Sequence, residues 1–75
     1  MPKQFQDEQF IEKVVSEIKS IRKKRGLTQE NIYFDTGVHI ARIEQKKLNI
    51  TLSTLKKLCD YFQISMHDFF KGLET

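Results

Sequence analysis

The sequence predicts an all-α domain of five helices. Three observations carry this. Apolar residues recur at spacings of three and four in the two longest patterned stretches, as a single helix face requires. No stretch alternates apolar and polar residues as a half-buried strand does. Thr28, Thr51 and Ser65, all good N-cap types, each stand directly before a patterned segment.

The first helix is expected over residues 7–25. Phe10, Ile11, Val14, Val15, Ile18 and Ile21 form its stripe. Asp7 and Glu8 open it and Lys23, Lys24 and Arg25 close it, signs that suit the helix dipole at both ends. Gly26 follows where a left-handed cap is wanted. Thr28 then caps a second helix reaching Phe34 or Asp35, with Tyr33 and Phe34 expected to pack the turn, the alternative being a Tyr33 hydroxyl that reaches a phosphate. A third helix is expected from about Val38 to Lys46, followed by a loop that turns Leu48 and Ile50 inward.

Thr51 caps a fourth helix whose Leu52, Leu55, Leu58, Cys59 and Phe62 repeat on one face. Gln63 and Ile64 end it. Ser65 opens a short fifth helix through Lys71, with Asp68 in its acidic first turn and Gly72 as its stop. Of the neighbours Phe69 and Phe70, one should face inward and the other outward. An outward ring beside Leu73 would make an apolar patch, so Phe69, Phe70 and Leu73 are the expected dimer interface.

Seventy-five residues hold one domain, read as a flexible arm over 1–6 and a folded unit over 7–75. The apolar runs are too short to span a bilayer, and no apolar stretch follows Met1 as a signal peptide requires. The lone Cys59 has no internal disulfide partner and fits a reducing cytoplasm. It lies in an apolar stripe, where a structural thiol is favoured over a redox sensor. His67 is expected at the surface. No nucleophile–base spacing, Gly-rich phosphate loop, metal-ligand cluster or small-molecule site is evident, so no enzyme and no cofactor is expected.

The net charge of +3 is mild, but its placement is not. Lys19, Arg22, Lys23, Lys24 and Arg25 occur with no acid among them. Arg42, Lys46, Lys47, Lys56 and Lys57 face only Glu44 over residues 42–57. Charge segregated in this way points to a polyanion partner, though Lys56 and Lys57 fit a solvated face better. The segment Leu27–Glu44 reads as two short helices joined by a tight turn, an arrangement that seats one helix in the DNA major groove.

Three blocks then stand in order: Ile21-Arg22-Lys23-Lys24-Arg25-Gly26-Leu27-Thr28-Gln29-Glu30, Ile40-Ala41-Arg42-Ile43-Glu44, and Leu52-Ser53-Thr54-Leu55-Lys56-Lys57-Leu58-Cys59. With them the chain resembles the Cro/phage-repressor-like (XRE-type) helix-turn-helix regulators over residues 15–72. The resemblance implies a compact lambda-repressor-like DNA-binding domain whose second and third helices form the motif. It implies that Gln29 reaches a phosphate or a neighbouring base, and that Arg42 reads base edges from the third helix. Lys46, Lys47 and Asn49 would meet phosphates. Arg22 and Glu44 would pair to hold the third helix without touching DNA, and the fifth helix would build a two-fold dimer.

The spacing from Gln29 to Glu44 is about three residues shorter than the family pattern, close to one helical turn. Either the second helix ends early and Thr36 caps the third, placing Gly37, Val38 and His39 at the groove, or Gly37-Val38-His39 is the turn and His39 is the cap. Both remain open from sequence, so Thr36, Gly37 and His39 join the candidate DNA-binding residues. The implied function is a sequence-specific regulator, a repressor acting as a homodimer on double-stranded DNA. The alternatives are an antitoxin or restriction-modification controller of the same fold, or a protein-interaction module that has lost DNA.

Overall fold

The computed structural model describes residues 7–45 and 50–73. These residues form α1 (Glu8–Lys24), α2 (Gln29–Thr36), α3 (Ile40–Glu44), α4 (Leu52–Phe62) and α5 (Met66–Leu73), with no strand among them. The expected arm 1–6, the loop anchor Leu48 and the candidate contacts Lys46, Lys47 and Asn49 lie outside the described residues.

Local chemistry fixes the helix ends. The Asp7 carboxylate accepts the Phe10 N–H at 3.0 Å and starts α1. At its end the Gly26 N–H reaches the Lys23 carbonyl and the Leu27 N–H the Arg22 carbonyl, both at 3.0 Å. This crossed pair needs a left-handed residue, which Gly26 supplies at φ +68°. Thr28 and Asn31 cap α2 reciprocally, hydroxyl to backbone and amide to backbone. Thr51 accepts from the Thr54 N–H and Ser65 from the Asp68 N–H, which starts α4 and α5.

The core gathers one face of every helix. Ile18 of α1, Ile32 of α2, Ile40 of α3, Leu58 and Phe62 of α4, and Phe69 of α5 are all fully buried. Burying a side chain of that size is worth roughly 1.5–3 kcal/mol relative to leaving it in water. α1 packs on α5 and α3, while α4 packs on α2 and α5, so α3 is held between the first two helices. Cys59 is buried with this set, and burial, followed by the neighbouring Asp60, pushes its thiol pKa up. A thiol kept protonated and shielded is a packing group.

Four expectations change. Phe34 does not pack the turn, being 79% exposed, whereas Tyr33, though 45% exposed, lies against the His39 ring of the turn at 4.7 Å. With Ile32 aimed at the core, a rotation of about 100° per residue carries Phe34 to the opposite face. Leu52 is 75% exposed, because it sits in the first turn of α4, short of the shared face that Leu55 begins. Gly72 does not stop α5, which continues to Leu73. Its missing Cβ instead makes room for the Glu17 carboxylate of α1, whose Oε2 would lie 2.8 Å from such an atom. Phe69 is the inward phenylalanine and is 1% exposed, so it belongs to the core and not to a dimer interface. Phe70 is partly buried and stacks on Phe10 at 6.4 Å, and Leu73 packs partly on the core.

Candidate nucleic-acid interface

The turn between α2 and α3 resolves the two readings of the shortened segment. α2 continues to Thr36, Gly37 takes φ +76°, and His39 stands before the first residue of α3. The Gly37 N–H bonds the Tyr33 carbonyl at 2.8 Å, closing α2 in the left-handed geometry that glycine adopts without strain. Thr36 therefore does not cap α3. Its buried hydroxyl donates to the Ile32 carbonyl at 2.7 Å and accepts the Val38 N–H at 3.0 Å, both inside the protein. That engagement turns it away from any DNA, and Val38 is buried beside it. The helix lost its first turn; the preceding helix kept its last.

α3 is consequently five residues long. A helix that short gains little from its own hydrogen bonds and must be held by its neighbours. Ile40 and Ile43 bury one face. Glu44 fixes the other end. Its carboxylate accepts Arg22 Nε at 2.7 Å and Nη2 at 3.0 Å, and Gln29 Nε2 at 3.0 Å. The third arm of the guanidinium, Nη1, donates to the Leu27 carbonyl at 2.9 Å. With its side chain only 4% exposed, Glu44 is desolvated, and the bidentate fork with an added amide satisfies it. One carboxylate thus ties α1, the start of α2 and the end of α3 into a fixed angle.

Gln29 is thus brought to Glu44, with its amide nitrogen committed to the protein. Arg42 is exposed on the outer side of α3. His39 is exposed, makes no side-chain capping bond, and lies with its ring centroid 4.7 Å from that of Tyr33. Lys23, Lys24 and Arg25 are exposed within a turn of Arg22, so the basic end of α1 adjoins the helix pair. Lys56 is engaged with Asp60 at 2.5 Å across one turn of α4. Sequence reasoning missed the groove between α2 and α3, about 420 Å³, which Tyr33, Phe34, His39 and Arg42 help to line. The signal was present in the 100° offset of Phe34 from Ile32, repeated once.

Among the described residues no group of three or more His, Cys, Asp or Glu could hold a metal ion, and no helix is long and apolar enough to cross a membrane. Two helices joined by a tight turn, the second exposed along one side beside clustered cations, define a helix-turn-helix DNA-binding domain. The helix-turn-helix family model matches residues 18–69, covering α2, α3 and α4 in full, and the chain belongs to that family as a Cro/repressor-like, XRE-type regulator. No curated protein and no solved structure matches it.

Proposed function

We propose that this DNA-binding regulator acts as a repressor, a homodimer that recognises a two-fold operator. The observation that supports the reading is the Glu44 junction. A five-residue helix is fastened at its far end to two other helices while Arg42 is left exposed. A helix rigidly held and presenting an exposed guanidinium is suited to reading base edges, and guanine offers the two acceptors that match it.

Affinity comes chiefly from phosphates. Lys23, Lys24 and Arg25, the expected contacts Lys46, Lys47 and Asn49, and Gln29 through its second amide N–H or its backbone N–H at the start of α2 are the groups assigned to them. Gly37 shapes the turn, and His39 reaches the groove edge from the position before α3. Dimerisation uses the outward side of α5, Phe70 and Leu73, extended by Phe10 and Leu52 in place of the buried Phe69. A two-fold pair would set recognition helices about 34 Å apart, on half-sites about 10 bp centre to centre.

Selection of preferred duplexes from a random pool tests this directly. A two-fold motif is expected, and log affinity should fall linearly with log salt, by about 0.9 per phosphate neutralised. A folded chain that ignores every duplex in dilute buffer would refute the reading.

A further inference from the structure

The fold does not account for the aromatic groove between α2 and α3. Phe34 leaves 79% of its surface in water and Tyr33 45%, although both belong to a helix whose only buried apolar side chain is Ile32. Tyr33 is sandwiched between two rings, His39 at 4.7 Å and Phe34 at 6.2 Å between centroids. The three rings form one apolar wall, and Arg42 lines the same groove. Scattered exposed apolar residues are ordinary, but three contiguous rings, one pair edge-on and one tilted, beside the exposed cation of a recognition helix are a built surface.

Among the described residues the polar reading groups on this face are few. The Gln29 amide nitrogen is taken by Glu44, and the His39 ring lies against Tyr33. Glu30, which also lines the groove, repels a phosphate there, so a base edge is favoured over the backbone. In a duplex the base faces are covered by stacking, which rules out the ring-on-base contacts available on single strands. The apolar feature a base pair does present in the major groove is the thymine 5-methyl group.

We propose that Phe34, backed by Tyr33, packs against a thymine methyl next to the base that Arg42 reads, so that this protein selects a thymine there. The inference rests on the DNA-reading role given above. The contact removes apolar surface from water on both sides without asking anything of the short α3 beyond its position. It also gives specificity to a helix too short to carry a long row of polar readers.

The test starts from the duplex selected by the unmodified protein. Each thymine is replaced in turn by deoxyuridine, which removes the methyl and nothing else. At one thymine the replacement should weaken binding roughly four- to tenfold. Phe34→Ala should bind the thymine duplex about as weakly as the unmodified protein binds the uracil one, and should show no further loss with uracil. Its high exposure leaves folding intact, which an unchanged thermal midpoint checks. If every deoxyuridine duplex binds like its parent, or the uracil penalty persists undiminished in Phe34→Ala, the methyl contact is wrong while DNA binding stands. If Phe34→Ala leaves affinity and motif unchanged, the aromatic wall serves a protein partner instead and the proposal falls. A protein that binds no duplex at all removes both readings.

Discussion

Glu44, the last residue of α3, receives the Arg22 guanidinium of α1 on both carboxylate oxygens, at 2.7 and 3.0 Å. The two residues are 22 positions apart, so the pair closes the fold around α2. Removing Arg22 leaves the desolvated Glu44 carboxylate without a counter-charge and with only the Gln29 amide, and breaking such a pair typically costs about 3–5 kcal/mol. Arg22→Ala should therefore lower the thermal midpoint by roughly 10 °C or more in a domain of this size. Arg22→Met with Glu44→Leu should recover most of that loss, since an apolar pair of similar volume avoids the desolvation. Thermal denaturation of both variants checks this; equal stability of Arg22→Ala and the unmodified chain would mean that the pair is not structural.

Arg42 makes the opposite prediction. Exposed and outside the core, it can be truncated with little effect on folding, within about 0.5 kcal/mol. Arg42→Ala should cost about 1–3 kcal/mol at the preferred duplex and relax preference at one base position. Lys24→Ala should instead weaken all duplexes alike and reduce the salt slope by about one phosphate's contribution. Binding titrations on preferred and scrambled duplexes at two salt concentrations separate these outcomes.

These contrasts show what a sequence discloses. Caps at Thr28, Thr51 and Ser65, the left-handed turn at Gly26 and the buried stripe of α4 from Leu55 are legible because each depends on residues within one or two turns. The Arg22–Glu44 pair was legible only through the family resemblance, since nothing local links residues so far apart. Leu52 and Phe34 were misread for a common reason. Periodicity tells which residues share a helix face, but where that face meets another helix is decided by packing. Phe34 stands on a face left exposed among the described residues. Gly72 looks like a stop from local propensity, yet α5 runs on to Leu73, with the end of the Glu17 side chain of α1 beside the space a Cβ would fill. The choice between ending α2 early and shortening α3 turned on whether the Thr36 hydroxyl points in or out.

Gln63 offers a stability test free of the site. It ends α4 at φ +61°, with its N–H on the Asp60 carbonyl and the Ile64 N–H on the Cys59 carbonyl. A residue with a Cβ is strained there by roughly 1–2 kcal/mol, whereas glycine is not. After the extra chain entropy that glycine brings to the unfolded state, Gln63→Gly should stabilise by about 0.5–1 kcal/mol. Urea midpoints measure the difference, and a loss of stability would show that the Gln63 side chain contributes more than its backbone strain removes.

The Tyr61 hydroxyl donates to Asp35 Oδ2 at 2.5 Å, joining α4 to the end of α2. That hydrogen bond raises the phenol pKa above 10.0, with desolvation and the Asp35 charge adding in the same direction. The folded state thus holds the proton more tightly than the unfolded one. The sign follows: the stabilisation is fully present below the unfolded value of 10.0 and is lost as pH rises through the higher folded value. The unmodified protein should be more stable than Tyr61→Phe at pH 8, and the gap should close on the alkaline side. A gap that is constant from pH 8 to beyond the folded value would mean that the hydroxyl plays no part.

Dimerisation is tested best at Leu52, because its removal leaves the monomer alone. Leu52 is 75% exposed and lies in the first turn of α4, so an aspartate there meets the favourable end of the helix dipole and displaces nothing in the core. It lines one small groove with Phe10 and Phe70, the ring pair that stacks at 6.4 Å, and charge on that surface would have to be desolvated in a dimer. Leu52→Asp should keep or slightly raise the thermal midpoint measured at concentrations where the chain is monomeric. Its dimer dissociation constant should rise at least about tenfold, a loss of about 1.4 kcal/mol. Binding to a two-fold duplex should weaken with it, while binding to an isolated half-site should not. Sedimentation equilibrium supplies the first comparison and duplex titration the second. An unchanged dimer would move the interface away from the Phe10–Leu52–Phe70 face.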